Sequence, residues 1–253
     1  MDNTTLDAAI VSVARVPRLL VVSDFDGTIA ELQNDPDNVP VNRASLNALA
    51  ALGRISDTAA VLLSGRDLTT LRRLANVEGS VELVGSHGAE SSGGQVRPTA
   101  EQQRRLDAVG ARLRELIAGH TGATVEDKPF HRVLHTRRVP DRALAERLLR
   151  EARELPVDGV HVSTGKCIVE FAAVSVNKGT WITDARERGH WDAVVFLGDD
   201  VTDENGFRVL GPGDLGIKVG DGATAAVARV SDTNGVQSVL ERLVVARSAH
   251  PGI

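Results

Sequence analysis

Four short, almost entirely apolar runs constrain this chain more than any other feature, because each stops abruptly at a polar loop containing glycine. Residues 19–22 (LLVV) run into SDFDGT and residues 59–63 (AAVLL) into SGRD. Residues 81–84 (VELV) run into GSHG and residues 194–197 (VVFL) into GDD. A strand with one wet face alternates apolar and polar residues; a strand buried on both faces does not. Such runs therefore suit a parallel sheet covered by helices. Helical spacing lies between them, at Leu46, Leu49 and Leu52 and again at Leu68, Leu71 and Leu74. Strand alternating with helix predicts an α/β fold with a doubly wound parallel sheet core. Ligands of such sheets bind at the carboxyl ends of the strands, where all four polar loops fall.

Residues 95–172 depart from this pattern. They follow SSGGQ (91–95), a linker-like composition. A helical face at Leu106, Val109, Leu113 and Leu116 comes first, then two strand-like segments, TVEDKP and RVLHTRRV. A helix is predicted over 141–154, then two more strands in VHVST and KCIVEFA. That αββαββ order predicts an antiparallel sheet with helices on one side, an α+β module inserted into the core. The domains are thus residues 1–94 with 173–253, and residues 95–172.

Composition narrows the partners. A net charge of −5 gives no electrostatic reason to expect nucleic acid or an anionic membrane. No apolar run approaches the ~20 residues of a membrane span. The opening MDNTTLDAAI lacks the basic and apolar regions of a signal peptide. Cys167 is the sole cysteine, which excludes an internal disulfide and a cysteine cluster for zinc. These features point to the cytoplasm.

The chemistry sits in the loops. In DFDGT, Asp24 and Asp26 are separated by one residue, so both can reach one phosphate just past a strand end. Gly27 permits a sharp turn with amides facing an anion, and Thr28 adds a hydroxyl. An acidic Asp-Gly turn would look the same in isolation. GDDVTDE follows a second buried strand and crowds Asp199, Asp200 and Asp203 together. Like charges crowd badly without a cation. An oxygen-only donor set near a phosphate favours magnesium over zinc. Ser64, Arg66 and Lys178 supply the hydroxyl and cationic groups that bind phosphoryl oxygens. Ser64 reads equally as a helix N-cap. His87 in GSHG reads as a substrate contact or as a structural histidine.

DFDGT, SGR, the lysine of NKG and GDDVTDE, in that order, resemble the four motifs of the haloacid-dehalogenase superfamily of phosphatases. An α+β module between the second and third motifs is similar to the cap of its sugar-phosphate subfamily. GSHGAE, GDDVTDENGF, VEDKP, the HTR of RVLHTRRV and GKCIVEF resemble segments of the trehalose-6-phosphate phosphatases. Thr136 departs from that pattern, since relatives often carry tyrosine there. The resemblance implies an aspartyl-phosphate on Asp24, with Asp26 as general acid and then base. It implies magnesium held by Asp24, the Asp26 carbonyl and Asp199, with Asp200 in support. It further implies phosphoryl contacts from Thr28, Ser64 and Lys178. Glu126, Lys128, Arg137, Lys166 and Glu170 would grip the glucose hydroxyls of trehalose 6-phosphate, and a functional link to a trehalose-phosphate synthase would follow. Parity along a strand agrees, putting Lys166, Ile168 and Glu170 on one face of a strand, an arrangement that Glu126 and Lys128 repeat on another strand. Those residues read without the resemblance as salt bridges on a wet sheet. The rival readings are another capped sugar phosphatase, for sucrose phosphate or a mannosyl-phosphoglycerate, and a non-catalytic sugar-phosphate-binding subunit.

Overall fold

A computed structural model of the chain describes residues 3–33, 35–77, 79–92, 98–173 and 176–250. It divides into two compact units, Met1–Gln95 with Val176–Ile253, and Val96–Ser175. The last three residues of the linker-like SSGGQ lie outside the described residues. No helix among the described residues is long and apolar enough to cross a membrane.

In the larger unit the chain forms strands β1 (Leu19–Ser23), β2 (Thr58–Leu63), β3 (Val81–Gly85) and β4 (Glu90–Ser91). Beyond the smaller unit come β9 (Ala193–Gly198), β10 (Leu215–Val219) and β11 (Ala228–Val230). Their order in one sheet is β11-β10-β9-β1-β2-β3-β4, parallel throughout except for β4. The apolar runs are explained by what covers them. Leu19 and Val21 pack with α1 (Asn3–Val13), α2 (Arg43–Leu52), α3 (Leu68–Ala75) and α8 (Thr233–Ser248). Leu20 and Val22 face the other way, onto Trp181 and Ile182 of α6 (Lys178–Gly189) and Phe207 of α7 (Glu204–Phe207). Each such side chain, fully buried, stabilises the fold by roughly 1.5–3 kcal/mol.

The smaller unit contains α4 (Ala100–Leu116), β5 (Thr124–Asp127), β6 (His131–His135), α5 (Arg142–Arg153), β7 (His161–Gly165) and β8 (Ile168–Ala172). This is the expected αββαββ order, and Asp141 caps α5 by accepting the amides of Ala143 and Leu144. The antiparallel sheet runs β5-β6-β8-β7. Leu134, Val169 and Phe171 pack against Val109, Leu113 and Ala152, so the helices cover one face. Register puts Glu126, Val133, Glu170 and Ser163 in one row across the four strands, on the opposite face.

The sheet is also fastened at its far end, away from the polar loops. Arg247 of α8 is fully buried. It donates to Ala14 O at 3.0 Å, Pro17 O at 2.7 Å, Asp57 O at 3.0 Å and Thr58 Oγ1 at 3.0 Å, and also to Val16 O. One guanidinium thus joins the last helix to the segments leading into β1 and β2. Replacing it leaves the buried Ala14 carbonyl and three part-buried ones without this donor, and a buried unmet acceptor costs about 1–3 kcal/mol. Arg247→Met is expected to lower the free energy of unfolding in urea by on the order of 3 kcal/mol. A change below about 1 kcal/mol would mean that the clamp contributes no more than a surface contact.

Candidate active site

β1 lies between β9 and β2, and successive strands fill the sheet outward from it in both directions. In a doubly wound sheet the ligand crevice opens at that switch point, beyond the carboxyl ends of the strands. Asp24 follows directly on β1, with its amide bonded to Leu197 O of β9 at 2.9 Å. Phe25 turns into the core and is fully buried. Asp26 follows in an isolated bridge with Ala30.

Lys178 opens α6, whose N-cap Asn177 makes a full capping box with Thr180. Its ammonium is buried and bridges Asp24 Oδ1 at 2.7 Å and Asp203 Oδ1 at 2.6 Å. The other oxygen of Asp203 accepts the amides of Asp199 and Asp200, each at 2.9 Å. Asp203 therefore folds the loop after β9 and aims the lysine at once. Lys218 of β10, also buried, donates to the Asp199 carbonyl.

The result is a crowded set of acids. Asp24, Asp199 and Asp203 offer carboxylate oxygens within 4.8 Å of one another. Burial, then the charge of Asp203 and that of Asp199, pushes the Asp24 carboxyl well above the ordinary carboxylate range, against the pull of Lys178. Asp199 is pushed up to about 6, by burial first and then by Asp203 and Asp200. Burial opposes the charge on Lys178, but Asp24 and Asp203 outweigh it and raise its pKa. Asp199 Oδ1 and Thr28 Oγ1 are buried with no hydrogen-bond partner among the described residues. Unmet polar atoms are costly. Oxygen donors, surplus negative charge and an open carboxylate oxygen fit a hard cation, and the cluster could bind a metal ion.

The remaining loops lie where the sequence places them, with different company. Ser64 is fully buried at the end of β2. It does not cap α3, whose N-cap is Asp67; its Oγ accepts the Arg66 amide at 3.1 Å. The Arg66 guanidinium grips Asp26, with Nε–Oδ2 2.7 Å and Nη2–Oδ1 2.6 Å. His87 adopts a left-handed conformation, φ 56° and ψ 21°. Its ring lies against Gly65, where a Cβ would stand 2.5 Å from Cε1, and its amide bonds Ser64 O at 2.9 Å. Asp200 is exposed and accepts the Val201 amide at 2.7 Å, so among the described residues Asp203, not Asp200, completes the acidic cluster.

In the smaller unit, Glu126 and Glu170 lie in one row with Val133 between them. Glu126 Oε2 meets His135 Nε2 at 2.8 Å. Lys128 follows β5 and exchanges backbone hydrogen bonds with His131. Lys166 and Cys167 form the turn between β7 and β8, with Cys167 at φ 65°, so Lys166 does not share a strand with Glu170. The parity argument fails there because the strand begins at Ile168. Arg137 is exposed on the turn after β6, and its neighbour Thr136 is buried against the Cys167 carbonyl. The two turns therefore meet at one end of the sheet, away from Lys128.

A buried carboxylate at the central strand end, a buried lysine beside it and an acidic loop on the neighbouring strand define a phosphatase of the haloacid-dehalogenase fold. In fold the chain resembles the solved C-terminal domain of Candida albicans trehalose-6-phosphate phosphatase, with a TM-score of 0.75 over 95% of this chain and 96% of that one, at 21% identity. The chain belongs to the trehalose-phosphatase family, whose model matches residues 22–239. It is 33% identical over 228 residues to trehalose-6-phosphate phosphatase of Escherichia coli K12, covering 88% of this chain and 85% of that protein. It is 32% identical over 244 residues to trehalose-phosphate phosphatase of Mycobacterium marinum, covering 87% of this chain and 61% of that longer protein.

Gly27 is the tightest point of the site. Its φ is +75°, and a Cβ there would stand 2.1 Å from Asp199 Oδ2. Gly27→Ala must displace either the DFDGT turn or the Asp199 carboxylate. A 1 Å misplacement can cost about 100-fold in rate, so phosphatase turnover is expected to fall at least that far. Stability should fall by only about 1–2 kcal/mol. Steady-state rates and thermal melting of the variant check this; a rate within about 3-fold of the parent would show that the approach is not critical.

Proposed function

We propose that this chain hydrolyses trehalose 6-phosphate to trehalose and inorganic phosphate through an aspartyl-phosphate on Asp24. The observation that carries the reading is Asp24 itself: buried at the end of the central strand, 2.7 Å from the Lys178 ammonium and within 4.8 Å of its acidic neighbours. A carboxylate so placed is a nucleophile with a cation ready to take charge from the transferring phosphoryl group.

The chemistry runs in two balanced steps. An Asp24 oxygen bonds phosphorus as the bond from phosphorus to the sugar oxygen breaks, and Asp26 gives that oxygen a proton. Water then attacks the acyl-phosphate, Asp26 takes its proton, and the Asp24–phosphorus bond breaks to release phosphate. Thr28 and Ser64 join Lys178 in holding the phosphoryl oxygens, and the buried, unpaired Thr28 hydroxyl supports that role. Asp24, Asp199 and the Asp26 carbonyl would hold magnesium, with Asp200 one step removed. Bound there, magnesium supplies charge that keeps Asp24 ionised and offsets its repulsion of an anionic substrate.

Sugar recognition falls to Glu126, Lys128, Arg137, Lys166 and Glu170. Acids and bases offer both acceptors and donors to a polyhydroxylated ligand, with Lys128 at one end of this sheet and Arg137 and Lys166 at the other. The shared row of Glu126 and Glu170, about 10 Å apart across two strand spacings, supports a ligand lying across strands. A trehalose-phosphate synthase would supply the substrate. The setting would be the cytoplasm, without nucleic acid or membrane partners.

A phosphate-release assay across trehalose 6-phosphate, sucrose phosphate, glucose 6-phosphate and an aryl phosphate tests the reading. Trehalose 6-phosphate should be the best sugar substrate, chelator should abolish turnover, and magnesium should restore it better than calcium. Glu170→Ala should slow the sugar phosphate about 10- to 100-fold while leaving the aryl phosphate within about 2-fold, because a lost sugar hydrogen bond costs about 1–3 kcal/mol. Preference for another sugar phosphate, or full activity in chelator, would overturn the corresponding part.

A further inference from the structure

SGR motifs invite the reading that the arginine binds phosphate, yet Arg66 is otherwise engaged. Its side chain is only 13% exposed, and both oxygens of Asp26 are taken by its Nε and Nη2. Nη1 donates to Pro36 O at 2.6 Å, and the guanidinium lies 5.8 Å from the centre of the Phe25 ring. The backbone is locked as well. Its amide bonds Ser64 Oγ at 3.1 Å, and its carbonyl accepts the Ser86 amide at 2.7 Å. A guanidinium fork fits a carboxylate in one orientation, so a bidentate pair fixes direction as well as distance.

We propose that Arg66 is a positioning residue for Asp26 rather than a ligand of the phosphoryl group. It holds the Asp26 carboxylate against rotation and ties it to the 35–38 segment through Pro36 O. To hand a proton to a leaving sugar oxygen, one Asp26 oxygen must release its N–H partner while the other keeps its bond. Arg66 thus sets where Asp26 waits and how it turns. The serine-histidine turn after β3 acts behind it, by bonding the Arg66 and Ser64 carbonyls. This inference rests on Asp26 being the proton-transfer group.

Four variants test it, Arg66→Met, Arg66→Lys, Asp26→Asn and the double variant Arg66→Met/Asp26→Asn, each followed through its first turnover, before water clears the phosphoenzyme, on trehalose 6-phosphate and on p-nitrophenyl phosphate. A nitrophenolate leaves without a proton, and general acid catalysis is worth about 100-fold or more to a poor leaving group. Arg66→Met should therefore lose about 10- to 100-fold on the sugar phosphate and less than about 3-fold on the aryl phosphate. Inhibition by inorganic phosphate should stay within about 2-fold, and Arg66→Lys should recover part of the loss. On the aryl phosphate the double variant should be no slower than Asp26→Asn alone, because residues that act as a unit do not add.

Equal losses on both substrates, weakened phosphate inhibition and multiplying losses in the double variant would make Arg66 a phosphate ligand and overturn the proposal. Should Arg66→Met fail to fold, as thermal melting would show, the same ratios are read from Arg66→Lys. An Asp26→Asn variant that loses both substrates alike would sink the reading of Asp26. A leaving-group effect present in Asp26→Asn but absent from Arg66→Met would sink the Arg66 proposal alone.

Discussion

The site depends on a deficit of positive charge. Three carboxylates, Asp24, Asp199 and Asp203, offer oxygens within 4.8 Å of one another, and Lys178 is ion-paired to two of them. At an effective dielectric of about 20, two unit charges at that distance repel by roughly 3 kcal/mol. Fold stability is marginal on that scale. Burial first, and then this crowding of charge, displaces Asp24 and Asp199 upward in proton affinity. A cation at this point would answer a need that the fold creates, and an anionic substrate alone would worsen it.

Backbone architecture imposes that crowding. Parallel strands β9 and β1 lie side by side, so the loops that follow them begin one strand spacing apart. Asp24 and Asp199 each follow immediately on a strand end, which leaves neither room to diverge. Gly27 then brings backbone against the Asp199 carboxylate at a distance no side chain would allow. Asp203 adds to the negative charge, yet it ties two loop amides and the lysine together. The sheet itself is held by apolar packing on both faces and, at its other end, by Arg247.

Much of this was legible in the sequence because burial on both faces leaves a plain signature. β1, β2, β3 and β9 appear as apolar runs, and their loops carry the motifs. β10 was less visible: Leu215–Val219 includes Gly216 and Lys218, whose charge interrupts the run yet is used on the Asp199 carbonyl. Which acid of GDDVTDE would turn inward could not be read from composition. The turn of α7 folds Asp203 back beneath the loop and leaves Asp200 outside. Arg66 was visible as a cation beside a phosphate motif, but its pairing with Asp26 depends on β2 lying next to β1. In the smaller unit, counting residues succeeded for Glu126 and Glu170 and failed for Lys166. A two-residue turn at Lys166 and Cys167 resets the alternation, and such turns carry no apolar period.

The covalent role of Asp24 is the claim on which the rest turns, and trapping the phosphoenzyme tests it most directly. Asp26→Asn keeps the nucleophile but removes the group that activates water, so an aryl phosphate should load Asp24 faster than water clears it. Rapid acid quench followed by intact-protein mass spectrometry should then find one added phosphoryl group on Asp26→Asn, mapped to the peptide carrying Asp24, and none on Asp24→Asn. A phosphoryl adduct on Asp24→Asn, or none on Asp26→Asn despite turnover of the aryl phosphate, would contradict the account.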